Sequence, residues 1–582
     1  FLEKVDEKID EAIDKRILYI GAGNAKFLVD SEKTAEKICK EIKEIYKTLA
    51  PSAKVVAECY PMKENEKIWT AIDELAQKTA EKKSEGFPML NIDLPFAMKC
   101  DLSGTEPAVV SWKNIEDDLK SIKIHRSGYP WEKDNEKINE IGIVEFKEDT
   151  GKQKGNTLKA IKNVIEEKKL NISEESAVKI KYSNKMIKDD VNEIGFYSII
   201  KKALNYDIHL NTEIDDYSVG DSFIGFVYSD GDGLGDFLKN VKKVYTTEEE
   251  YLKFMRKFSV ILDRNTKYVL KEVIKEMYEK GKFVKKKPIL KDGKFVKDEK
   301  GENIEKSVIG EFLIVGGDDV CAVFPADLAI EISYEFQKQF EEKMKKFTEI
   351  ENQKNEKKNP ENITSSCGVV IAKNKTPMFQ LFEQGLKLQK SAKAKRYQEN
   401  KNREGEVRTG YIDFQVIGNE GNVNIKEYRK KWYNKFNKED KNKGKLHVSR
   451  RPYSISGLEN EEYKDVSESI KKLIDQVKKL KTKNFPNTKI RYIYDLKKDD
   501  TKTDNEKIME SINILSKMST EEIQVLNELW GIKDKMNLSF ENENKNEKFK
   551  EFFDNIFDVL EIYDFIQKDK SSSEKEDNNS GN

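Results

Sequence analysis

Four aspartates in two short clusters are the residues of this chain whose types and spacing could do chemistry. Asp318 and Asp319 stand in EFLIVGGDDVCAVFP, residues 311–325, between two apolar runs that predict the strands of a β-hairpin. Gly316 and Gly317 predict a turn with positive φ and room for another molecule against the backbone. Side by side at a hairpin tip the two carboxylates repel, and a divalent cation with hard oxygen ligands relieves that repulsion. Asp230 and Asp232 stand in DSFIGFVYSDGDGLGDFLKN, residues 221–240. Here an apolar strand over Phe223–Tyr228 runs into Asp230-Gly231-Asp232, and Gly233-Leu234-Gly235 leads into a helix expected from Asp236 onward. The other reading of this loop is a calcium site, but the twelfth position counted from Asp230 is Val241, where a glutamate is required.

These residues need a scaffold that brings the strand end at Asp230 against the hairpin tip in one sheet. Asp230, the Gly231 carbonyl, Asp318 and Asp319 would then hold two Mg²⁺ or Mn²⁺ ions, a set suited to phosphoryl or nucleotidyl transfer. Asp232 is expected to shape the loop. Gly233, Leu234 and Gly235, with Gly316 and Gly317, would let backbone approach a nucleotide phosphate. Downstream, residues 363–397 predict a strand around Val369–Ala372 and a helix opened by Pro377, with Met378, Leu381, Phe382, Gly385, Leu388 and Ala392 on one apolar stripe. Lys393, near the far end of that helix, is assigned to neutralise a triphosphate; Lys395 and Arg396 read equally well as solvated surface charge.

The strand with Asp230-Gly231-Asp232-Gly233-Leu234-Gly235, the Gly316-Gly317-Asp318-Asp319 hairpin and GVVIAKNKTPM leading to Ser391-Ala392-Lys393 together resemble a known family. It is the large polymerase-like subunit of type III CRISPR effector complexes, whose palm is related to GGDEF diguanylate cyclases. Val320 follows Asp319 where a plain GGDEF cyclase would carry Glu-Phe after its second carboxylate position. The resemblance covers roughly residues 216–415. It implies an α+β protein with two ferredoxin-like palm domains plus helical domains, and polymerisation and cyclisation of ATP into oligoadenylate messengers. It implies other effector subunits, guide RNA and target RNA as partners.

An internal repeat agrees with two palms. RILYI-GAGN-AKFLVD-SEKTAEKICKEIKEI from Arg16 can be laid on EFLIV-GGDD-VCAVFP-ADLAIEISYEFQKQF from Glu311. Gly23 and Asn24 stand where the second copy has Asp318 and Asp319, so the first palm is expected to be degenerate; a coincidental hairpin is the alternative. In LPFAMKCDLSGTEPAV, residues 94–109, the resemblance implies a zinc knuckle, but Ser103 stands where relatives carry a second cysteine. With Cys100 alone no zinc is expected, and only the turn survives. Many relatives also carry an HD nuclease. His125, His209 and His447 are the three histidines, with no His-Asp pair, so that domain is expected to be absent.

Composition bounds the remainder. Lys plus Arg is 106 against Asp plus Glu 107, which excludes a net basic field for nonspecific nucleic-acid binding. No long apolar run predicts a membrane span, no signal peptide is evident, and five cysteines without close pairs predict a reducing, cytoplasmic setting. The start at Phe1 suggests cropping, with the first strand of the first palm lost. The expected domains are a truncated first palm over 1–110, an intermediate mixed and helical region over 111–215, and the catalytic palm over 216–420 with an inserted hairpin or loop near 280–307. A C-terminal helical domain is expected over 421–568 and a disordered tail over 569–582. The function expected is a metal-dependent nucleotidyltransferase making cyclic oligoadenylate. The alternatives are a catalytically silent scaffold subunit and a stand-alone cyclic dinucleotide synthase.

Overall fold

A computed structural model describes residues 17–49, 53–85, 98–118, 165–179, 196–208, 213–355, 363–402, 409–418, 449–456, 469–530 and 555–568, apart from a few single and paired positions inside those ranges. It divides into two compact units, one built mainly from residues 24–198 with 245–257 and the other mainly from residues 199–244 with 258–582. All three histidines, most of the intermediate region over 111–215 and the predicted tail lie outside the described residues.

The first unit contains the predicted hairpin and helix. β1 (Ile17–Gly21) and β2 (Asn24–Phe27) form a two-stranded sheet, followed by α1 (Glu32–Leu49) and α2 (Ile68–Ser84). Each strand runs one residue further into the turn than RILYI-GAGN-AKFLVD predicts, to Gly21 and from Asn24, and the positive φ, +68°, is at Gly23. β3 (Val110–Ser111) pairs with β4 (Asn171–Ile172) beside a small core of Cys100, Val110, Ile115, Ile165, Ile172 and Ala177. Cys100 ends in the predicted turn: Gly104 N–H donates to its carbonyl at 2.8 Å and Ser103 N–H to its Sγ at 3.4 Å.

After α3 (Phe196–Ala203), the second unit is organised on a six-stranded sheet. Its elements are β5 (Phe223–Asp232), α4 (Leu234–Val244), α5 (Glu248–Glu279), the ribbon β6 (Lys286–Pro288), β7 (Leu290–Lys291), β8 (Lys294–Phe295) and β9 (Glu305–Ser307), then β10 (Glu311–Gly316), β11 (Asp319–Pro325), α6 (Ala329–Asn355), β12 (Thr364–Lys373), α7 (Met378–Asn402), β13 (Tyr411–Ile417) and β14 (Tyr453–Ser454). The strand order is β10-β11-β5-β12-β13-β14. β5, β10, β11 and β12 pair antiparallel, with helix between the first two and between the last two, which is the split βαβ plan of a ferredoxin-like palm. The insertion near 280–307 is a nested hairpin, β6 with β9 and β7 with β8.

Both faces of the sheet are covered, so its strands read as near-continuous apolar runs. Side chains alternate along β5. Gly225 faces α6, where a Cβ would come within 2.2 Å of Ala329 Cβ. Phe226 faces α7, and its ring fills the space a Cβ on Gly385 would need, 2.7 Å away. Leu381, Leu388 and Ala392 of the predicted stripe are buried, while Phe382 keeps 37% of its surface and meets the Tyr228 ring edge-on at 5.3 Å.

The last strand of the sheet, Tyr453–Ser454, comes from beyond residue 421, the expected start of the helical domain. The helices that follow are α8 (Ile470–Thr482), α9 (Asn487–Lys498), α10 (Asp504–Ser516) and α11 (Thr520–Trp530). α8 buries Ile470, Leu473, Ile474, Val477 and Leu480 as its periodicity predicts. A short helix from Asn555 carries Asp558, which is fully buried. Arg451 Nε lies 3.0 Å from Asp558 Oδ1, and the Tyr453 hydroxyl (2.6 Å) and Arg450 N–H (2.9 Å) both donate to Oδ2.

Candidate active site

The C-terminal end of β5 and the β10–β11 turn meet because β11 pairs directly with β5, Val320 opposite Ser229. Asp230 is the next residue along β5 from Ser229, and Asp319 the residue before Val320, so the register alone makes the two carboxylates neighbours. Gly316 pairs with Asp319, which leaves a two-residue turn of Gly317 and Asp318. This corrects the sequence expectation: of the two turn glycines only Gly317 has positive φ, +61°, the sign that primed hairpin turns require at their first central residue. The helix after β5 also begins earlier than expected, at Leu234 instead of Asp236. Gly233 takes the break with φ +65°, so Gly235 lies inside the helix, and the space beside Gly235 is open.

Asp318 is 7% exposed and fills space that Gly231 leaves: a Cβ on Gly231 would lie 2.6 Å from Asp318 Oδ2, 2.9 Å from Asp318 Cβ and 3.0 Å from Leu234 Cδ1. Burial, then the charges of Asp230 and Asp319, push the Asp318 carboxyl up to about 7. Burial and Asp230 push Asp319 up to about 6, with Lys393 pulling the other way. Burial and the same two carboxylates, Asp319 and Asp230, hold the Tyr228 phenol above its ordinary range.

Helix α7 answers this negative charge. Lys393 Nζ donates to Asp230 Oδ2 and to the Gly231 carbonyl, each at 2.6 Å, and Gln389 Nε2 lies 3.3 Å from the same Asp230 oxygen. Lys395 pairs with Glu399 along its own helix, and Arg396 reaches Asp232, Nε to Oδ2 3.6 Å, with a side chain only 13% exposed. Arg396 is thus turned inward, where the sequence left a solvated charge open. Asp232 is buried and accepts the Thr364 and Ser366 hydroxyls at 2.9 Å each, which holds the end of β5 to β12.

Sequence reasoning brought no attention to Gln389, Thr364, Ser366, or to Asp263 and Thr266 of α5, which bond the backbone of Gly317. Each is an ordinary polar residue whose partner is distant along the chain, so no local pattern marks it.

Among the described residues no three His, Cys, Asp or Glu side chains converge as a ready-made cage for an ion. Asp230 is instead turned to the Lys393 ammonium. The donor chemistry nevertheless fits a divalent cation: three neighbouring carboxylates and a backbone carbonyl, two of the acids driven toward protonation by burial and then by the charge of their carboxylate neighbours. The exposed, open backbone at Gly233 and Gly235 borders the same strand end.

Residues 223–403 match the family model "Cas10/Cmr2, second palm domain". Comparison with curated proteins gives no match. Among solved structures the chain is similar to Csm1 from T. onnurineus, with 11% identity and a TM-score of 0.35 over 97% of this chain and 64% of that one. It is similar also to a Csm1–Csm4 cassette crystallised with pppApA, with 14% identity and a TM-score of 0.27 over 61% of this chain and 37% of that one. The apo cassette gives 13% identity and a TM-score of 0.27 over 60% and 38%. The chain thus spans between 37% and 64% of the length of these solved chains. The family match lies over the four strands β5, β10, β11 and β12 and their carboxylate-bearing turn, so this part of the chain, residues 223–403, is a palm domain of the Cas10/Cmr2 kind.

Proposed function

We propose that this palm is a nucleotidyltransferase that joins ATP into oligoadenylate and closes it into a cyclic messenger, acting as the large subunit of a type III CRISPR antiviral complex. The observation that carries the reading is the meeting of Asp230 with the two-residue turn that presents Asp318 and Asp319. Asp230, the Gly231 carbonyl, Asp318 and Asp319 would hold Mg²⁺ or Mn²⁺. When bound, such ions activate the attacking hydroxyl and neutralise the triphosphate.

The chain's own residues do the rest. Burial, then the neighbouring carboxylates, keep Asp318 and Asp319 ready to exchange a proton for a cation near neutral pH. Lys393 covers Asp230 until a cation takes its place, and its ammonium is then free for the polyphosphate. The exposed backbone of Gly233 and Gly235, on either side of the half-buried Leu234 at the start of α4, offers N–H groups to phosphate oxygens. Contrary to the sequence expectation for Gly316 and Gly317, the Gly317 backbone is buried and its N–H is already given to Asp263. In each step a 3′-hydroxyl oxygen bonds to an α-phosphorus, the bond from that phosphorus to the bridging oxygen breaks, and pyrophosphate leaves. The hydroxyl proton passes to solvent or to a neighbouring carboxylate.

The β1–β2–α1 segment supports a degenerate first palm in the same chain: it has the hairpin and helix, with Gly23 and Asn24 in place of the carboxylates. Other effector subunits, guide RNA and target RNA are the partners of this reading, and the cytoplasm its setting. No described helix is long and apolar enough to cross a membrane. The test is incubation of the chain, alone and with partner subunits, with ATP and Mn²⁺, followed by separation of products. Asp318→Ala with Asp319→Ala should abolish all ATP-derived oligomers, and an unchanged product profile would sink the assignment.

A further inference from the structure

The turn that carries Asp318 is held from behind by one helix. Gly317 N–H donates to Asp263 Oδ1 at 3.0 Å, and the Gly317 carbonyl accepts the Thr266 hydroxyl at 2.6 Å. Asp263 and Thr266 are three residues apart on α5, on neighbouring turns of one face. Thr266 is fully buried and its hydroxyl also lies 3.0 Å from the Leu262 carbonyl within the helix. Asp263 is itself braced, its other oxygen 2.7 Å from Lys267 Nζ. Behind them α5 packs on α6, with Phe258 against Phe347 at 6.4 Å and Asn265 Nδ2 3.3 Å from Met344 Sδ.

These two bonds hold the two peptide planes on either side of the Gly317 Cα. The relative setting of those planes is the φ and ψ of Gly317, and it determines where the next Cα, that of Asp318, is placed. Glycine has more backbone freedom to lose than any other residue, so a turn built on it gives Asp318 an undefined direction unless something outside the turn fixes it. The β10–β11 pairing fixes only Gly316 and Asp319. From this geometry we infer that Asp263 and Thr266 are positioning residues: they act through Gly317 to aim Asp318 at the cation site, and touch neither substrate nor ion. The inference rests on the proposed reaction for its purpose, but the clamp itself can be read without turnover.

The experiment compares Asp263→Ala with Asp263→Asn, and Thr266→Val with Thr266→Ser, in the full chain. Asn keeps an oxygen acceptor without charge, and Ser keeps the hydroxyl. The first readout needs neither ion nor ATP: hydrogen–deuterium exchange of a peptide spanning residues 312–322. Asp263→Ala should add one fast-exchanging amide there, and Asp263→Asn should not. The second is Mn²⁺ affinity, and the third ATP conversion. Asp263→Ala and Thr266→Val should weaken Mn²⁺ binding severalfold and lower kcat about tenfold or more with KM for ATP little changed, while Asn and Ser recover most of both. If Asp263→Asn is as poor as Asp263→Ala, the carboxylate charge matters and Asp263 is a ligand, which overturns the inference. Exchange at the turn unaltered in Asp263→Ala also overturns it. A wild-type chain that converts no ATP refutes the proposed reaction instead, and the exchange and Mn²⁺ measurements then still decide the clamp.

Discussion

The ammonium of Lys393 lies 2.6 Å from Asp230 Oδ2 and the same distance from the Gly231 carbonyl oxygen, the two strand-end donors assigned to the cation. One positive group therefore already occupies the coordination partners of another. Lys393→Gln should leave Mn²⁺ affinity unchanged or tighter, because a competitor has been removed. It should raise KM for ATP about fivefold to tenfold, because a charge-assisted phosphate contact is lost. Calorimetric Mn²⁺ titration beside steady-state kinetics measures both, and weaker Mn²⁺ binding in the variant would contradict the exchange.

The raised acids give the stability a pH dependence opposite to the usual carboxylate. Unfolded aspartates titrate near about 4, whereas Asp319 and Asp318 do so at about 6 and about 7. Between those limits the folded state binds more protons than the unfolded one, so stability falls as pH rises through the window and the loss is complete above the upper value. Asp318→Asn, neutral at every pH, should stabilise the ion-free chain on the order of 1 kcal/mol at about pH 8 and flatten the profile. Added Mn²⁺ should raise Tm more at about pH 8 than at about pH 5, since it competes with those protons. Thermal melts at the two pH values, with and without Mn²⁺, measure this.

Gly231 tests the fit of the turn against the strand. A methyl there would stand 2.6 Å from Asp318 Oδ2, so Gly231→Ala must displace the carboxylate. ATP conversion should fall about 100-fold with little change in Tm, since the displaced group is at a strand end and destabilised to begin with. Conversion within a factor of three of wild type would mean that Asp318 has room it does not need.

Gly368 tests the scaffold. A Cβ there would meet the Gly385 carbonyl oxygen at 2.3 Å and Gln389 N at 2.6 Å, both backbone atoms of α7 that cannot swing aside. Gly368→Ala should cost about 3 kcal/mol by denaturant unfolding. Because α7 carries Gln389 and Lys393, it should also weaken Mn²⁺ binding.

The parts of this site legible in the sequence were those built from local patterns. β5 and the hairpin announced themselves as apolar runs ended by Gly and Asp, and α7 as a stripe with three- and four-residue steps. β13 did not. Asp413 and Gln415 lie at fully buried positions in it, 0% and 1% exposed, so its run TGYIDFQVI reads as a half-polar segment. The Gln415 side-chain amide Nε2 donates to the Val416 carbonyl and to Glu561, the latter far away in sequence. The inward turn of Arg396 has the same origin: its partner Asp232 is buried by strands and helices the sequence places only after folding.

Arg451 and Asp558 bear on how this molecule can be taken apart. Both side chains are almost wholly buried, 1% and 0% exposed, and the carboxylate is satisfied by groups that flank the last strand of the sheet. Cutting the chain before Asn555 would strand a guanidinium in a dry interior beside Tyr453, and cutting at residue 420 would remove β14 altogether. The palm is therefore not a portable module: a catalytically useful fragment must extend to about the end of the final short helix, however little those last residues have to do with nucleotides.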